Sequence, residues 1–137
     1  MIEPTLALQT AIRAKLIGTA AVLQRVDADN IRSGSTRPDN TPTIIMANGS
    51  TSLHGHDYTS QRAAWVNLDL HIWTKDEGPD AAKEIAFLVQ SALDKRLPIE
   101  GGYCDSFKVT RTVFPRDPDP AFGHGVLSVE ALVRWIV

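Results

Sequence analysis

Cysteine is nearly missing from this sequence: Cys104 stands alone, so no disulfide can close within the chain, and a lone thiol suits a reducing interior. A basic stripe is missing too. The 14 Lys and Arg stand against 16 Asp and Glu for a formal net charge of -2, and the cations are scattered, which removes the electrostatic footprint of a dedicated nucleic-acid binder. No run approaches the ~20 apolar residues that cross a bilayer, and Met1-Ile2-Glu3-Pro4 lacks the basic and apolar start of a signal peptide, so a soluble chain is expected. Internal repeats are also lacking. What remains is ordinary globular composition, 43% hydrophobic and 22% charged over 137 residues. That length predicts one domain over residues 1–137, burying on the order of two-thirds of its unfolded surface.

Leu8, Ala11, Ile12 and Leu16 recur at three- and four-residue steps behind Pro4, which predicts an amphipathic helix ending at Gly18. Thr19 is placed to cap a short second helix that stops near Asp27. Residues 30–42, rich in Ser, Gly, Asn, Asp and Pro, read as a loop. The β-branched run 43–47 reads as a first strand stopped by the turn-forming pair Asn48-Gly49, with the polar residues 50–62 a long excursion behind it. Val66, Leu68, Leu70 and Ile72 alternate with Asn67, Asp69 and His71 between Trp65 and Trp73, the clearest strand in the chain.

A third helix carries Ala82, Ile85, Ala86, Leu88, Val89, Ala92 and Leu93 as its stripe, with Asp76, Glu77 and Asp80 at its start and Lys95 and Arg96 at its end, as the helix dipole favours. Pro98 and Gly101-Gly102 close it. A third strand follows over 107–113, with Arg111 breaking the alternation, and a fourth runs from Leu127 to the last residue. The order predicts an α+β fold: an antiparallel or mixed sheet of about four strands with helices packed on one face. The other face is expected to collect Asn67, Asp69, His71, Lys108, Thr110, Thr112, Ser128, Glu130 and Arg134.

None of the reactive residues composes a site. His54, His56 and Asp57 are zinc-ligand types, but no second ligand motif accompanies them and a solvated loop explains them. Asp69 and His71 point the same way on one strand near Glu130 or Arg134, an arrangement that cross-strand pairing accounts for without catalysis. A small hydrolase using His71 with Asp69 is therefore disfavoured. Cys104 lacks a Cys–His signature, and Gly123-His124-Gly125 precedes a strand rather than a helix, so it reads as a tight turn rather than a phosphate loop. Trp65 and Trp73 bracket the polar face, as packing at its margin or as interface anchors. No enzyme activity and no cofactor are expected.

The stretch Leu68-Asp69-Leu70-His71-Ile72-Trp73-Thr74, followed by Gly78, Ala81-Ala82, Ile85-Ala86 and Ala92-Leu93, resembles a family of phage and prophage proteins that includes tail-completion, or tail terminator, and head–tail joining proteins. Leu8-Gln9-Thr10-Ala11-Ile12, Arg116-Asp117-Pro118 and His124-Gly125-Val126-Leu127 extend the likeness over nearly the whole chain. The resemblance implies a structural protein of the virion, assembled in the host cytoplasm, that forms a ring of its own copies, typically a hexamer. Its place would be the head-proximal end of the tail, with the tail tube protein and the head connector or stopper as partners and DNA passing through without sequence-specific contact. The expected interface residues are Trp65, Asn67, Asp69, His71, Trp73, Glu130 and Arg134 on the sheet face and His54, His56, Tyr58, Arg116 and Asp117 in the loops. A closed ring needs two different complementary surfaces on one subunit. The competing readings are a monomeric adaptor that holds a partner through Trp65 and Trp73, and another neck or connector component.

Overall fold

The computed structural model describes residues 2–34, 38, 40–54, 60–75, 79–94 and 96–137. Helix α1 (Pro4–Ile17) starts where the Glu3 carboxylate accepts from the N–H groups of Thr5 and Leu6, at 3.2 and 2.7 Å, with proline in the first turn. It ends at Gly18, whose N–H donates to the Ala14 carbonyl. Helix α2 (Ala20–Leu23) follows, but Thr19 does not cap it: its hydroxyl donates back to the Lys15 carbonyl at 2.7 Å. Turns carry the chain on to a single 3-10 turn at Ala28–Asn30.

Strands β1 (Ile31–Ser33), β2 (Thr43–His54), β3 (Gln61–Lys75), β4 (Gly102–Val113) and β5 (Phe122–Ile136) form one mixed sheet in the order β1-β2-β3-β5-β4. Only β1 runs parallel to its neighbour. Helix α3 (Pro79–Ala92) lies over β3 and β5, and α1 lies over β1, β2 and β3, so both helices cover the same face. Between the layers pack Leu8, Ile12 and Leu16 from α1, Ile85 and Val89 from α3, and Leu68, Leu70, Leu127 and Val129 from the sheet, all at most 1% exposed.

Several expectations need correction. The run at 43–47 does not stop at Asn48-Gly49. β2 continues to His54, and the register slips between Ala47 and Ser50, so Asn48 and Gly49 together stand opposite one residue, Leu68. A β-carbon on Gly49 would lie 2.8 Å from the Thr5 side chain, so glycine serves there as a close approach to α1 rather than as a turn. Residues 50–62 are correspondingly not a long excursion: 50–54 and 61–62 are strand, and 55–59 lie outside the described residues.

The 30–42 stretch contains β1, too short at 3 residues to show a period. The sheet thus has five strands where about four are expected, while the α+β class and the mixed sheet with helices on one face stand as the sequence predicts. Gly101-Gly102 does not merely close α3, because Gly102 already opens β4. Gly123-His124-Gly125 is not a turn but part of β5, which begins at Phe122 rather than Leu127. Asp76, Glu77 and Lys95, read as electrostatic ends of α3, lie outside the described residues.

Gly102 faces the Arg134 backbone so closely that an added β-carbon would sit 2.6 Å from the Arg134 carbonyl oxygen. Neither strand can yield without loss of pairing, so Gly102→Ala is expected to lower unfolding free energy by about 1–3 kcal/mol, measured by urea denaturation.

Candidate functional site

The sheet face away from the helices is built row by row from β3 and β5. Trp73 stands opposite His124, Asp69 opposite Ser128, Asn67 opposite Glu130 and Trp65 opposite Leu132. Period-two geometry puts these side chains on one face, and each finds its neighbour across the strands. The Trp73 and His124 rings stack with centroids 3.8 Å apart, and Phe122 meets Trp73 edge-on at 6.1 Å. His71 Nδ1 lies 2.9 Å from His124 Nε2, so one hydrogen is shared between two imidazoles. The Ser128 hydroxyl donates to the Asp69 carboxylate at 2.7 Å, and Lys108 Nζ approaches Glu130 at 3.8 Å.

At the far end Arg134 holds Asp105 through two contacts of 2.8 and 3.2 Å, donates to Gln61 Oε1 at 3.1 Å and lies 4.3 Å over the Tyr103 ring. That hydrogen-bonded guanidinium holds the Asp105 carboxyl below its usual range. Trp65 meets His54 edge-on at 6.3 Å. Thr43 and Ile45, opposite Trp73 and His71 on β2, are buried, so the open face ends there.

Seven of the expected interface residues, Trp65, Asn67, Asp69, His71, Trp73, Glu130 and Arg134, thus share one face, and His54 adjoins Trp65. Arg116 and Asp117 lie off the strands, in the β4–β5 connection, where they line a pocket with Phe122 and His124 at the end of that face and the Asp117 carboxylate accepts from the Asp119 N–H at 2.8 Å. His56 and Tyr58 lie outside the described residues.

Thr112 is a correction. A bulge between Val109 and Arg111 turns Arg111 to the open face opposite Ser128 and sets Thr112 opposite Leu127 on the helix side. Thr110 sits in that bulge, with its hydroxyl donating to the Ser128 carbonyl at 3.2 Å. Arg111 breaks the alternation in the sequence for this reason. His124, Phe122, Asp105 and Tyr103 were not among the expected residues. In β5 the core-facing positions 123 and 125 are both glycine, so the alternation that would have revealed His124 has no large apolar side chain to mark it.

The arrangement makes a contact surface rather than a reaction centre. Asp69 is engaged by a serine and His71 by a second histidine, so the two do not form the hydrogen-bonded carboxylate–imidazole pair that would set up a general base. Cys104 is half-buried, its thiol donates to the Ser106 carbonyl at 3.3 Å, and burial pushes its pKa up, the opposite of an activated nucleophile. The family model described as "Tail completion protein gp17" matches residues 10–134. The chain belongs to this tail completion protein family.

It is therefore a structural component of the virion tail and not an enzyme. The fold is similar to that of a chain in the virion of a native gene transfer agent (GTA) particle, with a TM-score of 0.78 and 19% identity over 93% of this chain and 94% of that one. It is also similar to the bacteriophage SPP1 gp17 protein, with a TM-score of 0.58 and 20% identity over 93% and 89%. No curated protein matches the sequence.

Burial lowers the His71 pKa from its ordinary 6.5, with the Asp69 charge opposing in part. The unfolded tail completion chain therefore takes up this proton first as pH falls, and stability drops below about pH 6.5 until the folded chain is protonated too. Melting temperature is expected to decline between about pH 7 and pH 5, and His71→Phe to flatten that decline. A variant profile parallel to the parent's would contradict the assignment.

Proposed function

We propose that this chain closes, as a hexamer of identical copies, into a ring on the head-proximal end of the tail tube, where it ends tube growth and presents a surface to the head connector or stopper. One domain over residues 1–137 carries this role, and the ring forms from chains made in the host cytoplasm. Membership of the tail completion family over residues 10–134 carries the reading. The open sheet face supports it, since its polar and aromatic side chains are ordered by cross-strand contacts of their own and lie on the side away from the helices.

In the ring this face lines the central channel. Asp69 and Glu130 then lie where DNA passes, and they offset Lys108 and Arg111 on the same face, so the wall carries no excess of cations to grip phosphate. The β4–β5 connection with Arg116 and Asp117 extends from one end of the sheet and reaches a partner stacked along the axis.

The test is charge reversal at both acids. Asp69→Lys with Glu130→Lys is expected to leave folding intact by circular dichroism while cutting particle infectivity at least about tenfold, because paired cations in the channel grip phosphate. Unchanged infectivity from such particles would remove the face from the channel.

A further inference from the structure

Besides the outer side of the 3-residue β1, two longer strands of this sheet have an edge that no other strand among the described residues occupies. β4 ends the order β1-β2-β3-β5-β4, and β1 covers β2 only at Ile44, Ile45 and Met46, which leaves β2 bare from Ala47 to His54. A bare edge presents a row of N–H and C=O groups that templates another strand. The two edges differ, and they lie at opposite sides of one small sheet, which is what head-to-tail closure of identical copies requires.

Their directions also match. β2 and β5 run one way and β3 and β4 the other, so rotating a copy about an axis along the strands sets its β2 antiparallel to the β4 of its neighbour. β4 is blunted by bulges between Cys104 and Ser106 and between Val109 and Arg111, which confine regular pairing to residues 106–109. Alongside, a groove of about 470 Å³ runs between β4 and the segment just after α3; Phe107 and Val109 give it an apolar wall, while Gln90, Asp94, Arg96 and Asp105 make the rest polar.

The bare β2 edge carries an exposed apolar side chain on the same side of the sheet as Phe107 and Val109. Leu53 is 65% exposed although it lies in a strand. Through the chain of pairings Leu53–Ala64–Val133–Cys104 it belongs to the helix side of the sheet, the side on which Phe107 and Val109 face Ala131 and Val129. Its neighbour two residues back, Thr51, is still met by α1 through a 2.7 Å contact with Thr5, whereas Leu53 lies past the helix layer. Continuing the sheet from one copy to the next keeps both helix layers on one side and seats Leu53 in the β4 groove.

We propose that residues 50–54 of one copy add as an antiparallel strand to residues 106–109 of the next, with Leu53 laid against the half-buried Phe107 and Val109. This lateral joint rests on the ring reading and specifies its subunit contact. It also puts the open faces of all copies on one side of a continuous wall, and the bulkier helix layer fits on the outside of that wall, which leaves the open faces inward. The short pairing window limits strand addition by isolated chains.

The experiment places a photoreactive benzophenone amino acid at position 53 of the chain in assembled particles, irradiates them and maps the bridges by mass spectrometry. A bridge from position 53 to residues 93–109 of a second copy is the expected result. Bridges from 53 only to other parts of a neighbouring copy, only to the tail tube protein, or none at all with the chain seated at the tail end, overturn the joint and leave the ring reading standing. Loss of the ring reading itself shows separately, as absence of the chain from the tail end of unirradiated particles, and takes the joint with it. Leu53→Asp serves as the second arm. With melting temperature unchanged, it is expected to reduce copies bound per tail at least about tenfold, and full occupancy contradicts the anchor.

Discussion

β3 and β5 pair without a bulge over all 15 residues of each, from Gln61 opposite Ile136 to Lys75 opposite Phe122, and the rest of the molecule is arranged around that ladder. Side chains alternate with a strict period of two, so a slip of one residue would exchange Leu68, Leu70, Leu127 and Val129 for Asn67, Asp69, Ser128 and Glu130 beneath the helices. The cost of burying those carboxylates without partners fixes the register. Irregularity is confined to the outer strands: one bulge in β2 and two in β4. The central pair stays regular and keeps the open face in register, while the flanks bend.

That division explains what could be read from the residues. β3 was legible because one face packs under helices and the other does not, and α1 and α3 were legible because each buries a stripe. The distal half of β2 was hidden: Ser50, Thr51 and Ser52 are strand because β3 offers them an edge, not because they bury anything. Asn48-Gly49 carries a turn signal that a bulge uses equally well. β1 depends on pairing with Ile44, Ile45 and Met46, a contact that no local pattern announces.

The candidate surface was legible to the same extent. Asn67, Asp69 and His71 follow from alternation in one strand, and Glu130 and Arg134 from alternation in another. Their pairing needs the register. The Trp73–His124 stack and the His71–His124 contact depend on β5 beginning at Phe122, and the two glycines facing the core concealed that start. Side chains satisfied by one another across a sheet face suit a contact surface, in keeping with a family whose work is assembly rather than chemistry.

The account stands or falls on where the protein sits and what it stops. Electron microscopy of particles labelled on this chain, with tail lengths recorded in its absence, decides both. Label confined to the head-proximal end of the tail, together with overlong or headless tails when the protein is missing, is the predicted result. Label elsewhere, or joined particles with tails of normal length in its absence, would contradict it.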